Sequence, residues 1–184
     1  MFRRKHASLR LPRALKRTIR LGVFSRIALV LLMLAPQCPA AFREGDTLPP
    51  LDSFKLEGKL PDTKGQVILL DFWASWCAPC KKSFPVMQEL HKQYAARGLT
   101  IIAVSVDEKR EDMDRFLKPM NVSFAIVRDG AHKLVAAADV PTMPTSMLID
   151  RTGKIRYVHE GFAGDQNIKE YQEQIQLLLK EPAR

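Results

Sequence analysis

The chain has 184 residues, enough for one folded domain and a terminal extension, with 46% hydrophobic and 27% charged residues. Its net charge of +9 suggests a protein that binds nucleic acid or membranes until the charges are located along the chain. Residues 1–40 hold nine of the 29 Lys and Arg residues and no acidic residue, and subtracting them leaves 20 basic against 20 acidic residues. The body of the chain is therefore formally neutral, which excludes a basic nucleic-acid-binding surface there.

The first 40 residues have the arrangement of a secretory signal. A basic region precedes nine apolar residues, Ile27–Ala35, and small residues follow near Ala40 and Ala41. The apolar run is much shorter than the roughly 20 residues of a membrane-spanning helix. We predict that residues 1–40 are a signal peptide, with an uncleaved N-terminal membrane anchor as the alternative. In both cases the basic region stays in the cytoplasm and the body is exported to the periplasm.

The remaining chain alternates between strand-like and helix-like stretches. Residues 41–50 are predicted to form a linker, and Leu51–Leu56, where apolar and polar residues alternate, a short edge strand. Val67–Phe72 is a nearly continuous apolar run, typical of a central strand that is buried on both faces. This order predicts an α/β domain over residues 51–184, with a central mixed sheet and helices on both faces. The other predicted elements are helices at 77–97, 107–120, 134–138 and 165–180, and strands at 100–106, 124–127, 146–149 and 155–159.

Cys77 and Cys80 form a Cys-x-x-Cys motif where the Val67–Phe72 strand gives way to a helix. Two thiols separated by two residues can close a small disulfide ring, and the first of them would lie at a helix N-terminus. There the free backbone N–H groups and the helix dipole stabilise a thiolate. So short a loop adds little stability when it is cross-linked, and a structural zinc site would need further ligands. The motif therefore indicates redox chemistry.

Two segments resemble those of thioredoxin-fold proteins. Phe72–Lys81 resembles their active-site segment, and Met143–Thr145, just before a predicted strand, resembles their cis-proline loop. The additional N-terminal strand and the helix–strand insert between residues 107 and 127 are similar to the exported TlpA/ResA-like disulfide reductases. The resemblance covers about residues 45–180. It implies a thioredoxin-like fold and a thiol–disulfide oxidoreductase with a Cys77–Cys80 disulfide.

Three residues are expected to carry the chemistry. Cys77, nearer the helix start, is expected to be the attacking thiolate, and Cys80 to resolve the mixed disulfide that forms with a substrate. Asp71 lies in a strand predicted to be buried, so we expect its pKa to be raised. By position it resembles the buried acid of thioredoxins, which takes the proton of the resolving cysteine. The resemblance therefore implies that Asp71 is the general base for Cys80.

Four further residues are expected at the active site: Pro144 is counted with the catalytic residues, and Trp76, Met143 and Thr145 are expected to bind substrate. Pro144 is predicted to be the cis proline, rather than Pro141, because it stands directly before the predicted strand. By resemblance it faces the cysteine pair and leaves the backbone of Met143 free to pair with an extended substrate. Thr145 belongs to the same loop. Trp76 is expected to offer surface to a partner protein, with ordinary packing as the alternative.

Two positions depart from the family pattern. Ser83 stands where ResA-like proteins usually carry a Glu. Ala103 stands where thioredoxins carry the Lys that accompanies the buried acid. The proton circuit of this chain therefore resembles a hybrid of the two groups.

Together these features predict an exported thiol–disulfide oxidoreductase that reduces disulfides in client proteins and receives electrons from a membrane donor. The resemblance implies assembly factors for cytochrome c or copper sites as clients. Two alternatives stay open: a Cu(I) carrier that binds the metal through the same two thiolates, and a disulfide donor. No cofactor, bound metal or nucleic acid is expected, and His91, His132 and His159 are expected at the surface.

Overall fold

The structure is a computed structural model that describes residues 41–182, so the predicted signal segment 1–40 lies outside the described residues. Six strands form one sheet in the order β1-β4-β3-β2-β5-β6. The strands β2, β3 and β4 run parallel, and the other neighbouring pairs are antiparallel, which confirms the predicted mixed sheet. The strands are β1 (Glu57–Gly58), β2 (Val67–Trp73), β3 (Leu99–Ser105), β4 (Ala125–Arg128), β5 (Thr145–Ile149) and β6 (Ile155–Glu160).

Helices cover both faces of this sheet, as predicted. One hydrophobic core lies between the sheet and the helices α1, α2 and α4, and the other lies on the opposite face with α3. The two cores bury large aromatic and aliphatic side chains, which supplies the main driving force for folding. The helices are α1 (Ala78–Tyr94), α2 (Arg110–Leu117), α3 (Lys133–Ala138) and α4 (Asp165–Lys180), with single 3₁₀ turns at Leu51–Phe54 and Ala95–Arg97.

The central strand β2 is buried along its whole length, which confirms the interpretation of its apolar run. Successive side chains of a strand point to opposite faces. Accordingly Leu69 and Trp73 pack in the core of α1 and α4, whereas Leu70 and Phe72 pack in the core of α3. Asp71 alternates with these residues, so its side chain lies on the α1 and α4 face.

Two predicted elements differ from the structure. The predicted edge strand at Leu51–Leu56 is wrong in position. A 3₁₀ turn occupies Leu51–Phe54, and the first strand of the sheet, β1, comes after it at Glu57–Gly58. The turn forms because both the N–H and the hydroxyl of Ser53 donate to the carbonyl of Pro50, at 3.2 and 2.6 Å. The helix predicted from Asp107 begins at Arg110, because the carboxylate of Asp107 is bonded to Ser75 in the turn after β2 and to Ser105 at the end of β3.

The segment 41–50, predicted as a linker, contains no regular helix or strand, but it packs alongside the β5–β6 hairpin. The N–H of Gly45 donates to the carbonyl of Ile155 at 2.8 Å, and that of Leu48 to the carbonyl of Gly153 at 2.9 Å. Across residues 41–182, no helix combines the length and the apolar character that crossing a bilayer requires.

Candidate active site

The cysteine pair lies at the junction of β2 and α1. After Trp73 the chain turns, and Cys77 occupies the N-cap position of α1, where its Sγ accepts the backbone N–H of Cys80 at 3.1 Å. The two cysteines are joined by a disulfide, with their Cα atoms 5.3 Å apart. Cys77 keeps 4% of its surface exposed and Cys80 none. The outer sulfur is therefore the one that a partner can reach, and it lies where a helix N-terminus favours a thiolate.

Asp71 lies on the sheet face that α1 covers. It is 1% exposed, and burial raises its pKa to about 7, a rise opposed by a hydrogen bond from Ser146. Its Oδ2 atom has no hydrogen-bond partner within the described part of the chain. On β3 the residue paired with Asp71 is Ala103, so no lysine stands at that position. A buried carboxylate that titrates near neutral pH and keeps one oxygen free has the properties of a general base.

The hydroxyl groups of Ser146 and Tyr171, which the sequence did not point to, form a hydrogen-bonded series that ends on Asp71. Ser146 Oγ donates to Asp71 Oδ1 at 2.5 Å, and the hydroxyl of Tyr171 donates to Ser146 Oγ at 2.9 Å. All three residues are buried. The sequence carried only a weak signal for them: Ser146 is a polar residue in a short strand predicted to be buried, and Tyr171 lies on the amphipathic helix α4.

The loop before β5 contains the cis peptide bond, between Met143 and Pro144. Pro144 is buried and Met143 is half-buried. Thr145 is buried as well, and its hydroxyl donates to the carbonyl of Thr142 at 2.8 Å. The side chain of Thr145 therefore supports the loop rather than offering a surface to substrate.

Trp76 is the large hydrophobic residue beside the cysteine pair that faces solvent, with 71% of its surface exposed. It borders an open groove of about 560 Å³. The apolar lining of the groove includes Val106 and Val135, and its polar lining includes Lys109 and His132 together with the acidic Glu108 and Asp112. An exposed indole at the edge of a groove is suited to contact a peptide chain.

Asp107 is a second buried acid that the sequence analysis missed. Its carboxylate accepts the backbone N–H of Ser75 at 3.0 and 3.1 Å, the hydroxyl of Ser75 at 2.7 Å and the hydroxyl of Ser105 at 2.8 Å. These bonds fix the turn that leads to Cys77. The signal for it was an acidic residue directly after the carboxyl end of a buried strand.

One histidine prediction is wrong. His159 is buried rather than exposed, because its ring packs against Tyr171 with centroids 4.7 Å apart and its Nε2 lies 2.7 Å from Gln174 Oε1. Within residues 41–182, no group of three or more His, Cys, Asp and Glu side chains is arranged to hold a metal ion.

This geometry can be compared with known proteins. The model of the AhpC/TSA family matches residues 45–158. This chain belongs to the AhpC/TSA family. The thiol-disulfide oxidoreductase ResA of Geobacillus thermodenitrificans is 34% identical over 134 residues, which cover 71% of this chain and 77% of that protein. ResA of Bacillus subtilis is 37% identical over 113 residues, which cover 61% of this chain and 63% of that protein.

Solved structures of this thioredoxin-fold group share the architecture. A Chlorobium tepidum protein described as the thiol:disulfide interchange protein DsbE is 36% identical, with a TM-score of 0.70 over 76% of this chain and 99% of that one. StoA from Bacillus subtilis is 30% identical, with a TM-score of 0.53 over 61% of this chain and 85% of that one. As an AhpC/TSA family member with a Cys-x-x-Cys disulfide, the chain is a thiol–disulfide oxidoreductase.

Proposed function

We propose that this oxidoreductase is exported and reduces disulfides in client proteins. One observation carries the proposal: Cys77 caps α1 with Cys80 buried behind it, and Asp71 lies on the sheet face that this helix covers. A dithiol at a helix N-terminus is stabilised as a thiolate, which makes it a nucleophile at neutral pH. The buried carboxylate supplies a proton acceptor for the second thiol.

The reaction then follows thiol–disulfide exchange. The Cys77 thiolate attacks a client disulfide, so that one client sulfur bonds to Cys77 and the other leaves as a thiolate. Cys80 gives its proton to Asp71 and attacks the Cys77 sulfur, which breaks the mixed disulfide and releases the second client thiolate. The client gains two electrons and takes up two protons, one from Asp71 through solvent. Two electrons from a membrane donor, together with two protons from solvent, return Cys77 and Cys80 to the dithiol form.

The client is proposed to lie across the surface beside Cys77. Trp76 contacts it through the exposed indole, and the backbone of Met143 pairs with an extended segment, as the resemblance implies. Clients are disulfide-containing proteins, and assembly factors for cytochrome c or copper sites are the ones that the resemblance favours. The basic and apolar pattern of residues 1–40 supports export to the periplasm, by a signal peptide or an anchor.

A redox titration of the purified protein tests the direction of the reaction. The protein is equilibrated in glutathione buffers of graded potential, with dithiothreitol buffers for the lower potentials, its free thiols are alkylated, and the mass shift is measured. A potential of about −220 mV or lower supports a reductant, and the protein is then expected to accelerate the reduction of insulin. A potential near about −120 mV, with no insulin reduction, would make it a disulfide donor and overturn the proposed direction.

A further inference from the structure

We propose that Ser146 and Tyr171 are positioning residues for proton transfer: their linked hydroxyl groups hold Oδ1 of Asp71 and leave Oδ2 as the atom that takes the proton of Cys80. This inference rests on the proposed role of Asp71 as the general base. It goes beyond that role because it names the side chains that decide at which pH the base works.

The two hydrogen bonds run in one direction: Tyr171 donates to Ser146, and Ser146 donates to the carboxylate of Asp71. A serine hydroxyl has one hydrogen, so a Ser146 Oγ that accepts from Tyr171 has its own hydrogen free for Asp71. Donors aimed at a carboxylate favour its ionised form. The second oxygen, Oδ2, has no partner within the described residues, and it is therefore open to accept a proton.

Three elements of the fold bring these groups together. Ser146 pairs directly with Asp71 in the antiparallel register of β2 and β5, and Tyr171 reaches them from α4. Because all three side chains are buried, water does not compete for the hydrogen bonds. Ser146 also lies two residues after Pro144. The strand β5, which follows the cis-proline loop, therefore carries the hydroxyl that bonds to Asp71, the proposed base.

Within residues 41–182 no cationic side chain hydrogen-bonds to Asp71; Ser146 alone among the side chains does. Burial is the larger influence and raises the pKa of Asp71 to about 7, against the opposing effect of the bond from Ser146. Around these hydrogen-bonded hydroxyl groups lie the uncharged Ala103 on β3, Glu170 on α4, and His159 on β6 against the Tyr171 ring. Cys80 on α1 belongs to the same core as Tyr171.

Removal of either hydroxyl is expected to weaken the base at neutral pH. In Ser146→Ala, Asp71 loses its hydrogen bond and keeps its proton to higher pH, so the pH midpoint of the resolving step rises by about one unit. In Tyr171→Phe the Ser146 bond persists without its polarising donor, so the shift has the same sign and is smaller. In both variants the resolving step is several-fold slower at pH 7 and approaches the wild-type rate at high pH.

Stopped-flow reaction of the reduced protein with 5,5′-dithiobis(2-nitrobenzoic acid) separates the two exchange steps. Attack by Cys77 releases the first thionitrobenzoate, and attack by Cys80 on the resulting mixed disulfide releases the second. We expect Ser146→Ala and Tyr171→Phe to shift the pH profile of the second phase and to leave the first phase unchanged. Tyr94→Phe is the matched control, because its buried hydroxyl bonds to Gln176 at 2.9 Å rather than to the chain on Asp71.

Asp71→Asn distinguishes failure of this inference from failure of the proposed base. If Asp71→Asn removes the midpoint near pH 7 from the pH profile of the second phase while Ser146→Ala and Tyr171→Phe keep the wild-type midpoint, the inference is overturned and the base stands. If Asp71→Asn also keeps the wild-type profile, the base role itself fails. If Ser146→Ala does not fold, Tyr171→Phe, which keeps the ring, decides alone. Adding Tyr171→Phe to Asp71→Asn should change nothing further, and an additional shift would count against the inference.

Discussion

The carboxylate of Asp107 accepts both the backbone N–H and the hydroxyl of Ser75, which lies 32 residues earlier in the chain. The two residues follow the neighbouring parallel strands β2 and β3, which end at the same edge of the sheet. The bonds join the loop after β3 to the turn that leads into Cys77. The position of Cys77, the proposed nucleophile, thus depends on an acid that takes no part in the proposed exchange.

Replacement of this acid is expected to destabilise the protein. Asp107→Ala leaves the N–H and hydroxyl of Ser75 and the hydroxyl of Ser105 without their acceptor, which costs on the order of 3 kcal/mol in the free energy of unfolding. Urea unfolding of the oxidised protein measures the change. Asp112→Ala is the control: it lines the same groove, but within residues 41–182 its carboxylate bonds only to the exposed Arg115, so we expect a change of about 0.5 kcal/mol or less. Equal losses in the two variants would contradict the proposed anchoring.

The two cysteines are expected to give opposite phenotypes when they are replaced. Cys80→Ser keeps the nucleophile but lacks the resolving thiol, so it should accumulate mixed disulfides with clients through Cys77. Cys77→Ser should form none, because Cys80 is fully buried. Non-reducing electrophoresis and mass spectrometry after incubation with oxidised insulin measure the adducts. Adducts in Cys77→Ser at the level of Cys80→Ser would contradict the assignment of the nucleophile.

Asp71 is expected to make stability depend on pH. Its pKa is raised from an ordinary value of 3.8 to about 7, so between these values the unfolded chain releases a proton that the folded protein keeps. Its contribution to stability is full below pH 4 and lost as the pH rises through 7. Asp71→Asn should therefore gain stability relative to the wild type between pH 4 and pH 8, by at most about 4 kcal/mol. Urea unfolding of the wild type and of Asp71→Asn, both in the disulfide form, at pH 4 and at pH 8 measures the gain. A gain that is independent of pH would contradict the raised pKa.

Asp150 provides a control of opposite sign for this measurement. Burial alone would raise its pKa, but hydrogen bonds from Thr152, Lys154 and Arg156 hold the pKa below its ordinary value. Its contribution is therefore present above pH 4 and lost in more acidic solution. Asp150→Asn should lose stability relative to the wild type as the pH rises through the range from 3 to 5. If the stability change had the same sign in Asp71→Asn and Asp150→Asn, it would indicate a general effect of removing a negative charge and not the different pKa values of the two acids.

Trp76 is expected to act on client binding and not on stability. Its side chain is largely exposed and precedes the nucleophile, so Trp76→Ala should raise KM for a protein disulfide about tenfold, as for a truncated aromatic contact at an interface. The free energy of unfolding should change by less than about 0.5 kcal/mol. Leu177→Ala, at another exposed hydrophobic residue that is 54% exposed and lies on α4, is the control and should leave KM unchanged. An unchanged KM in Trp76→Ala would remove this residue from the client surface.

Much of the fold and the cysteine site could be predicted because local patterns encode them. The apolar run at Val67 determines a central strand, and the Cys-x-x-Cys directly after it places Cys77 at a helix start. The amphipathic pattern of Asp165–Lys180 gives α4 with the predicted bounds. Each of these features depends on residues that are close together in the chain.

The supporting contacts could not be predicted in this way because they join distant segments. Ser146 meets Asp71 through a strand register that spans 75 residues, and Tyr171 reaches Ser146 only because α4 packs with that face toward the sheet. His159 was expected at the surface, since nothing in its local sequence indicates that Gln174 and Tyr171 cover it. The helix start at Arg110 likewise depends on the contact between Asp107 and Ser75.

The small exposed area of Cys77 limits which disulfides the enzyme can reduce. With 4% of its surface exposed, Cys77 favours a client sulfur that protrudes and can approach in line with the attack. A bridge inside a finished, compact protein does not meet that requirement, whereas one on an extended, still unfolded polypeptide does. Under the proposed function, we therefore expect the enzyme to act on extended, unfolded clients and to leave the bridges of folded proteins intact.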